Sequence, residues 1–180
     1  MQTTFFFSIC GLAASLMLWP GCALACWQEA ASRQGVPAAL LYAIAQAESS
    51  LNPVAVNRTH YERTGTVDIG YMGINSDRRV LHRLGVTEQA LYEPCTNIQV
   101  GSRILAEKIR RYGNTWEAVG AYNASCAKLD AVRCQAARRR YAWRVYRFMA
   151  HVRPAAPPAL AAAAEAIAPR ASILARVSLR

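Results

Sequence analysis

No charged side chain precedes Glu29 in this 180-residue chain, and acidic residues are few, 11 against 21 Lys and Arg. The chain has no Cys-x-x-Cys, and its three histidines, His60, His82 and His151, stand at no spacing that suits a shared metal. Those absences exclude the common zinc arrangements, and neither a metal nor another cofactor is expected. Beyond the N-terminus no apolar run approaches the ~20 residues of a spanning helix, which excludes a helical membrane bundle. No internal repeat is visible, so solenoids and propellers are excluded as well. With 53% apolar residues the chain is too hydrophobic for a disordered tail, and one compact domain is the starting expectation.

What the chain does have is a net charge of +10, which would suggest a polyanion partner if it were evenly spread. Trp27 to Ala127 holds 10 basic and 9 acidic residues, Lys128 to Arg153 holds 8 and 1, and Pro154 to Arg180 holds 3 and 1. The main body is therefore almost neutral and the excess belongs to one late segment. Nucleic acid is not expected as a partner, because the chain reads as exported and carries no recognisable nucleic-acid-binding fold.

Export is read from residues 1–25. Thr3 to Ala25 is uncharged, with an apolar core from Phe5 to Trp19, then Pro20-Gly21 and a small-x-small site, Ala23-Leu24-Ala25, before Cys26. This predicts a cleaved signal peptide and a periplasmic product. Because the usual positive n-region is missing, a retained anchor is one alternative; lipidation at Cys26 is another, weakened by the poor lipobox order Ala-Leu-Ala-Cys. Cys10 and Cys22 leave with the signal, and four cysteines remain, which in an exported chain implies disulfides of three conceivable connectivities. Cys26–Cys95 and Cys126–Cys134 are favoured, the first tying the N-terminus to the core and the second closing a short loop.

Helical periodicity predicts a short helix near Trp27 to Gln34 and a second over Pro37 to Ser49, with Leu41, Ile44, Ala45 and Glu48 on one face. From Val54 to Asn75 the pattern turns to Thr, Tyr, Gly and Val with turn residues, an irregular hairpin or loop and not a helix. Further helices are expected from Ser76 as N-cap to Leu84, Thr87 to Tyr92, Thr96 to Tyr112, a capping pair of Asn114 and Glu117 through Tyr122, and Asp130 to about Val152. In the last, Ala137, Tyr141, Val145, Phe148 and Val152 form an apolar stripe that leaves Arg138, Arg139, Arg140, Arg144 and Arg147 mostly outside, as a solvated face. The fold class is mainly α with a small β-hairpin. The domain is expected over 26–152, followed by a low-complexity Ala/Pro tail, 153–180, expected to be disordered or loosely helical.

Four pieces in fixed order carry chemistry: Glu48-Ser49-Ser50, Asn52-Pro53-x-Ala55, Asp68 to Ser76, and Ala121-Tyr122-Asn123-Ala124. A carboxyl at the end of an apolar helix is partly desolvated, so Glu48 can stay protonated as a general acid for a glycosidic oxygen. Asp68 at the hairpin edge is the candidate second carboxylate, to stabilise an oxocarbenium-like transition state or position a nucleophile. Gly70 allows close backbone approach, Met72 and Ile74 anchor the hairpin on the core, and Tyr122 and Asn123 offer a ring, a hydroxyl and an amide to a sugar. Each is weak alone; their order is what makes them informative.

In that order, from about Cys26 to Ser125, the chain resembles the soluble lytic transglycosylase domain, in particular its small exported IagB/IpgF-like branch. The Cys26-Trp27 start, the Leu41 to Ala45 helix, Glu48-Ser49, Asp68-x-Gly70-x-Met72 and Cys95-x-Asn97-Ile98 to Gly101 carry the likeness; Asp68 to Ser76 is also similar to a strand of animal-type lysozymes. The resemblance implies a lysozyme-like fold and cleavage of the MurNAc-β-1,4-GlcNAc bond of peptidoglycan without water. Glu48 would serve as acid and then base while the muramoyl C6 hydroxyl closes a 1,6-anhydro ring. It further implies Ser49, Tyr71, Met72, Asn75, Tyr122 and Asn123 as substrate-binding residues, and as partners glycan strands and a type III or IV secretion, pilus or conjugation apparatus. One departure stands out: Gly73 occupies the place of the family's usual glutamine, which puts catalytic strength in doubt more than fold. The rival readings are a true lysozyme, with water completing the reaction, and a non-catalytic wall-binding module. Residues 128–153 are a candidate for weak attraction to anionic envelope surfaces.

Overall fold

The computed structural model describes residues 21–127 and 129–151. The expected signal segment through residue 20, Lys128, Val152 at the end of the apolar stripe and the tail over 153–180 lie outside the described residues.

The first helix, α1 (Gly21–Gln34), begins earlier than its periodicity predicts, ahead of the expected cleavage point, and ends at Gly35, whose φ of 64° is left-handed. α2 (Ala38–Ser49) starts behind Pro37, and its Leu41, Ala43, Ile44 and Ala45 are fully enclosed. Within the stretch read as an irregular hairpin or loop, the hairpin is present and belongs to an antiparallel sheet of three two-residue strands, β1 (Val56–Asn57), β2 (Asp68–Ile69) and β3 (Ile74–Asn75). The excursion from β1 to β2 contains a short helix, α3 (Tyr61–Thr64), which corrects the expectation of no helix there; Gly65 in left-handed geometry stops it after one turn.

Register decides what the sheet presents. Ile69 pairs with Val56 and Ile74, while Asp68 pairs with Asn57 and Asn75. Because side chains alternate along a strand, Ile69 and Ile74 share the core face, and Asn57, Asp68 and Asn75 share the other.

The remaining helices are α4 (Arg78–Leu84), α5 (Pro94–Tyr112), α6 (Trp116–Asn123) and α7 (Ala131–His151), with a 3-10 turn over Gln89–Tyr92. Their caps differ from expectation by a residue or more. Asp77, not Ser76, caps α4, since Ser76 Oγ is occupied by the Val67 N–H; Glu93 caps α5 ahead of Pro94; Thr115, not Asn114, caps α6. Asp130 accepts from Arg133 N at the start of α7.

α5 packs against α1 and α6, and α7 packs on α6 and α2, so α2 is enclosed on several sides. Disulfides Cys26–Cys95 and Cys126–Cys134 join α1 to α5 and brace the α6–α7 connection. Arg138 corrects the reading of the α7 arginines as outside: it is only 8% exposed, because its guanidinium bonds Glu117 at 2.7 Å, Tyr112 Oη at 3.1 Å and Ala124 O at 3.2 Å. Gly120 makes this possible, since a Cβ there would collide with the Arg138 backbone. Among the described residues no helix is long and apolar enough to cross a membrane.

Candidate active site

α2 terminates where Ser50 and Leu51 both turn left-handed, at φ 54° and 61°. Glu48 therefore sits in the last turn of a buried helix. Burial drives its pKa above the ordinary glutamate value and the Asp68 charge adds to this; a 2.6 Å hydrogen bond from Tyr141 Oη to Oε1, the Arg144 charge and an Asn123 hydrogen bond pull the other way. Both Tyr122 and Tyr141 are held well above the usual phenol range, chiefly by desolvation and then by the Glu48 charge, so they remain donors. Their rings stack, with centroids 6.4 Å apart.

The hairpin tip lies directly on the carboxyl. Gly73 has φ 57°, and a Cβ built on it would stand 2.8 Å from Glu48 Oε2. Three elements grip the tip's backbone. Ser49 Oγ lies 3.0 Å from Tyr71 O and 3.1 Å from Ala45 O; Tyr122 Oη donates to Met72 O at 2.8 Å. From below, Asn97 of α5 accepts from Met72 N at 2.8 Å and donates to Ile69 O and Leu91 O, each at 2.9 Å. Gly70 is required for this, because any Cβ there would overlap the Asn97 amide.

On the polar face of the sheet, Asp68 Oδ1 accepts from Asn75 Nδ2 at 2.8 Å, Oδ2 lies 3.4 Å from Asn57 Nδ2, and His60 Nε2 is 3.6 Å from Oδ1. A cleft of about 890 Å³ runs between this face and α6, lined by Glu48, Asp68, Asn75, Tyr122 and Asn123 among others. These five candidates are brought together. Ser49, Tyr71 and Met72 serve the hairpin instead: Ser49 is engaged by backbone, Tyr71 packs edge-on against Trp27 at 5.4 Å, and Met72 is fully buried against Gly101. Among the described residues no three His, Cys, Asp or Glu side chains gather as a metal site.

Sequence reasoning missed Tyr141 and Asn97 as parts of this site. Tyr141 was legible only as one member of an apolar stripe, and no spacing rule connects it to Glu48. Asn97 stands between Thr96 and Gln99 in α5, and nothing local distinguishes its buried amide from theirs.

A profile of the transglycosylase SLT domain matches residues 25–142. Invasion protein IagB of Salmonella typhimurium is 44% identical over 101 residues, 55% of this chain and 61% of that protein. Protein IpgF of Shigella flexneri is 41% identical over 101 residues, 55% of this chain and 64% of its own length. The chain thus covers less than two thirds of either relative. Among solved structures, an inactive mutant of the lytic transglycosylase Slt from Pseudomonas aeruginosa superposes with a TM-score of 0.54 at 20% identity, covering 72% of this chain and 24% of that one. At that identity the likeness concerns the fold.

Proposed function

The chain belongs to the transglycosylase SLT domain family, and from that premise we propose that it is a peptidoglycan lytic transglycosylase in which Glu48 alone supplies acid and base. The observation that carries this reading is a desolvated carboxyl at the floor of a long polar cleft, held by a phenol that does not ionise. Protonated Glu48 gives its proton to the glycosidic oxygen between MurNAc and GlcNAc. The resulting carboxylate, steadied by Tyr141 and Asn123, takes the proton of the muramoyl C6 hydroxyl as that oxygen attacks the anomeric carbon. The ring closes as a 1,6-anhydro sugar and no water is consumed. Asp68, fixed by Asn75, Asn57 and His60, is the second carboxyl of the cleft and faces the developing oxocarbenium ion.

Two carboxylates in one cleft also suit a lysozyme-type hydrolase with Asp68 as nucleophile. Product mass separates the two. Purified sacculi incubated with the chain should release anhydro-ended muropeptides, and Glu48→Gln should release none. Products one water heavier would replace the lyase reading with the hydrolase one, and cleavage surviving in Glu48→Gln would remove both.

The similarity to an invasion protein supports local wall opening for a secretion, pilus or conjugation apparatus. A signal peptide over residues 1–25, export to the periplasm, and a domain extending to residue 152 before a low-complexity tail complete the reading.

A further inference from the structure

Two grooves meet at Asn123. One is the Glu48 cleft; the other, about 650 Å³, is walled by α7 through Arg140, Tyr141, Trp143, Arg144 and Arg147, and Asn123 lines both. Tyr141, which lines the second groove, is the residue that holds Glu48, so the two grooves share Asn123 and are linked through the phenol that bonds the reacting carboxyl.

Arg140, Arg144 and Arg147 stand at i, i+4 and i+7 on α7, all exposed. Like charges at that spacing weaken a helix by a few tenths of a kcal/mol per pair, so folding gives no reason for the stripe. Arg144 lies over the Tyr141 ring at 5.1 Å, and Arg140 and Arg147 enter no ion pair among the described residues. Unpaired cations also line the Glu48 cleft itself, where Arg63, Arg79, Arg83 and Lys108 enter no ion pair among the described residues. The acids along the described track are already engaged: Glu48 by Tyr141, Asp68 by Asn75, and Asp77 as the cap of α4. Unpaired cations in two grooves that share Asn123 fit a polymer that carries carboxylates at intervals, with exposed Trp143 offering a ring face in the α7 groove.

We infer that the α7 groove continues the substrate cleft past Asn123 and receives the carboxylate-bearing peptide stems of the glycan strand, with Arg140 and Arg147 as the stem-contacting cations. This rests on the transglycosylase reading and names what that site selects. A lipid surface is the competing ligand for the same charges, but it would not explain why the groove that holds them shares Asn123 with the Glu48 cleft.

The test uses the full chain with two substrates, stem-bearing glycan strands and the same strands stripped of stems by an amidase. The readout is the ratio of kcat/KM on the first to that on the second. The unaltered chain should prefer stem-bearing strands, and Arg140→Gln with Arg147→Gln should lower the ratio about three- to tenfold, as expected of two exposed charge contacts. Arg140→Lys with Arg147→Lys should preserve it, and raising salt to about 0.5 M should shrink the preference of the unaltered chain. A ratio that the Gln variant leaves unmoved, or a loss confined to binding of anionic vesicles, overturns the inference. If neither substrate yields product, the transglycosylase reading fails. The groove is then judged by binding of soluble strands to the same variants: a Kd ratio that moves by the same factor supports it, and one that does not overturns it.

Discussion

Tyr141 and Glu48, 93 residues apart in the chain, are joined by a 2.6 Å hydrogen bond in which the phenol donates to Oε1. The bond favours the ionised carboxyl and opposes the desolvation that raises its pKa. Tyr141→Phe removes that opposition. The alkaline limb of the pH–rate profile should move up by about one unit, since a hydrogen bond to a charged group contributes ~1.5–3 kcal/mol and one unit is about 1.4. The rate itself should fall about tenfold or more, because the base half of the cycle loses its support. An unmoved alkaline limb would show that Tyr141 does not tune Glu48.

Glu48 also leaves a mark on stability. Its folded pKa lies above its unfolded one, so its neutral form favours folding fully below the unfolded value, and that advantage is lost as pH rises through the folded pKa. Glu48→Gln cannot ionise and escapes the loss. Thermal melts should therefore show the variant gaining on the parent from about pH 4 toward pH 7; a constant difference across that range would contradict the shift.

Gly73 is expected to resist repair. A glutamine is usual at this place in the family, yet the φ of 57° disfavours any L side chain by ~1–2 kcal/mol, and a Cβ would press on Glu48 Oε2. Gly73→Ala and Gly73→Gln should both lower the melting temperature and cut strand cleavage about tenfold or more, by displacing the reacting carboxyl. A gain of activity in Gly73→Gln would mean that the hairpin tip relaxes to accommodate it.

Asn97→Leu keeps volume but strands three buried backbone groups, Met72 N, Ile69 O and Leu91 O. At ~1–3 kcal/mol for each unsatisfied group the loss should reach about 3 kcal/mol or more, read as a lower urea midpoint. A near-neutral variant would mean that the hairpin does not depend on α5.

The parts of the site that lie within one element were legible from the sequence. Periodicity placed Glu48 on one face of α2 with Leu41, Ile44 and Ala45, and the change of composition over Val54 to Asn75 marked the hairpin that carries Asp68 and Asn75. What escaped were partnerships across elements. Arg138 counted as one of five arginines on a solvated face, and nothing local says that Glu117 and Tyr112 meet it once Gly120 lets α6 and α7 close together. Tyr141 escaped for the same reason. The caps slipped because adjacent Ser76 and Asp77, or Asn114 and Thr115, satisfy the same propensity, and only the competing bond to the Val67 N–H settles the first pair. Ser49, Tyr71 and Met72 adjoin cleft residues in sequence, but Ser49 Oγ is taken by the Ala45 and Tyr71 carbonyls, Tyr71 packs on Trp27, and Met72 is buried against Gly101.

The position of Tyr141 bears on where this protein can be cut. A fragment ending at Ser125 retains every sequence motif that carries the likeness, yet it leaves Glu48 with no phenol above it and strips α7, with buried Val145, from the back of α2. Ending at Ala142, where the family match stops, restores the phenol but severs α7 midway, placing unbonded carbonyls beside the residue that must stay fixed. The shortest piece able to hold its proton in place is therefore longer than any boundary that similarity alone would draw.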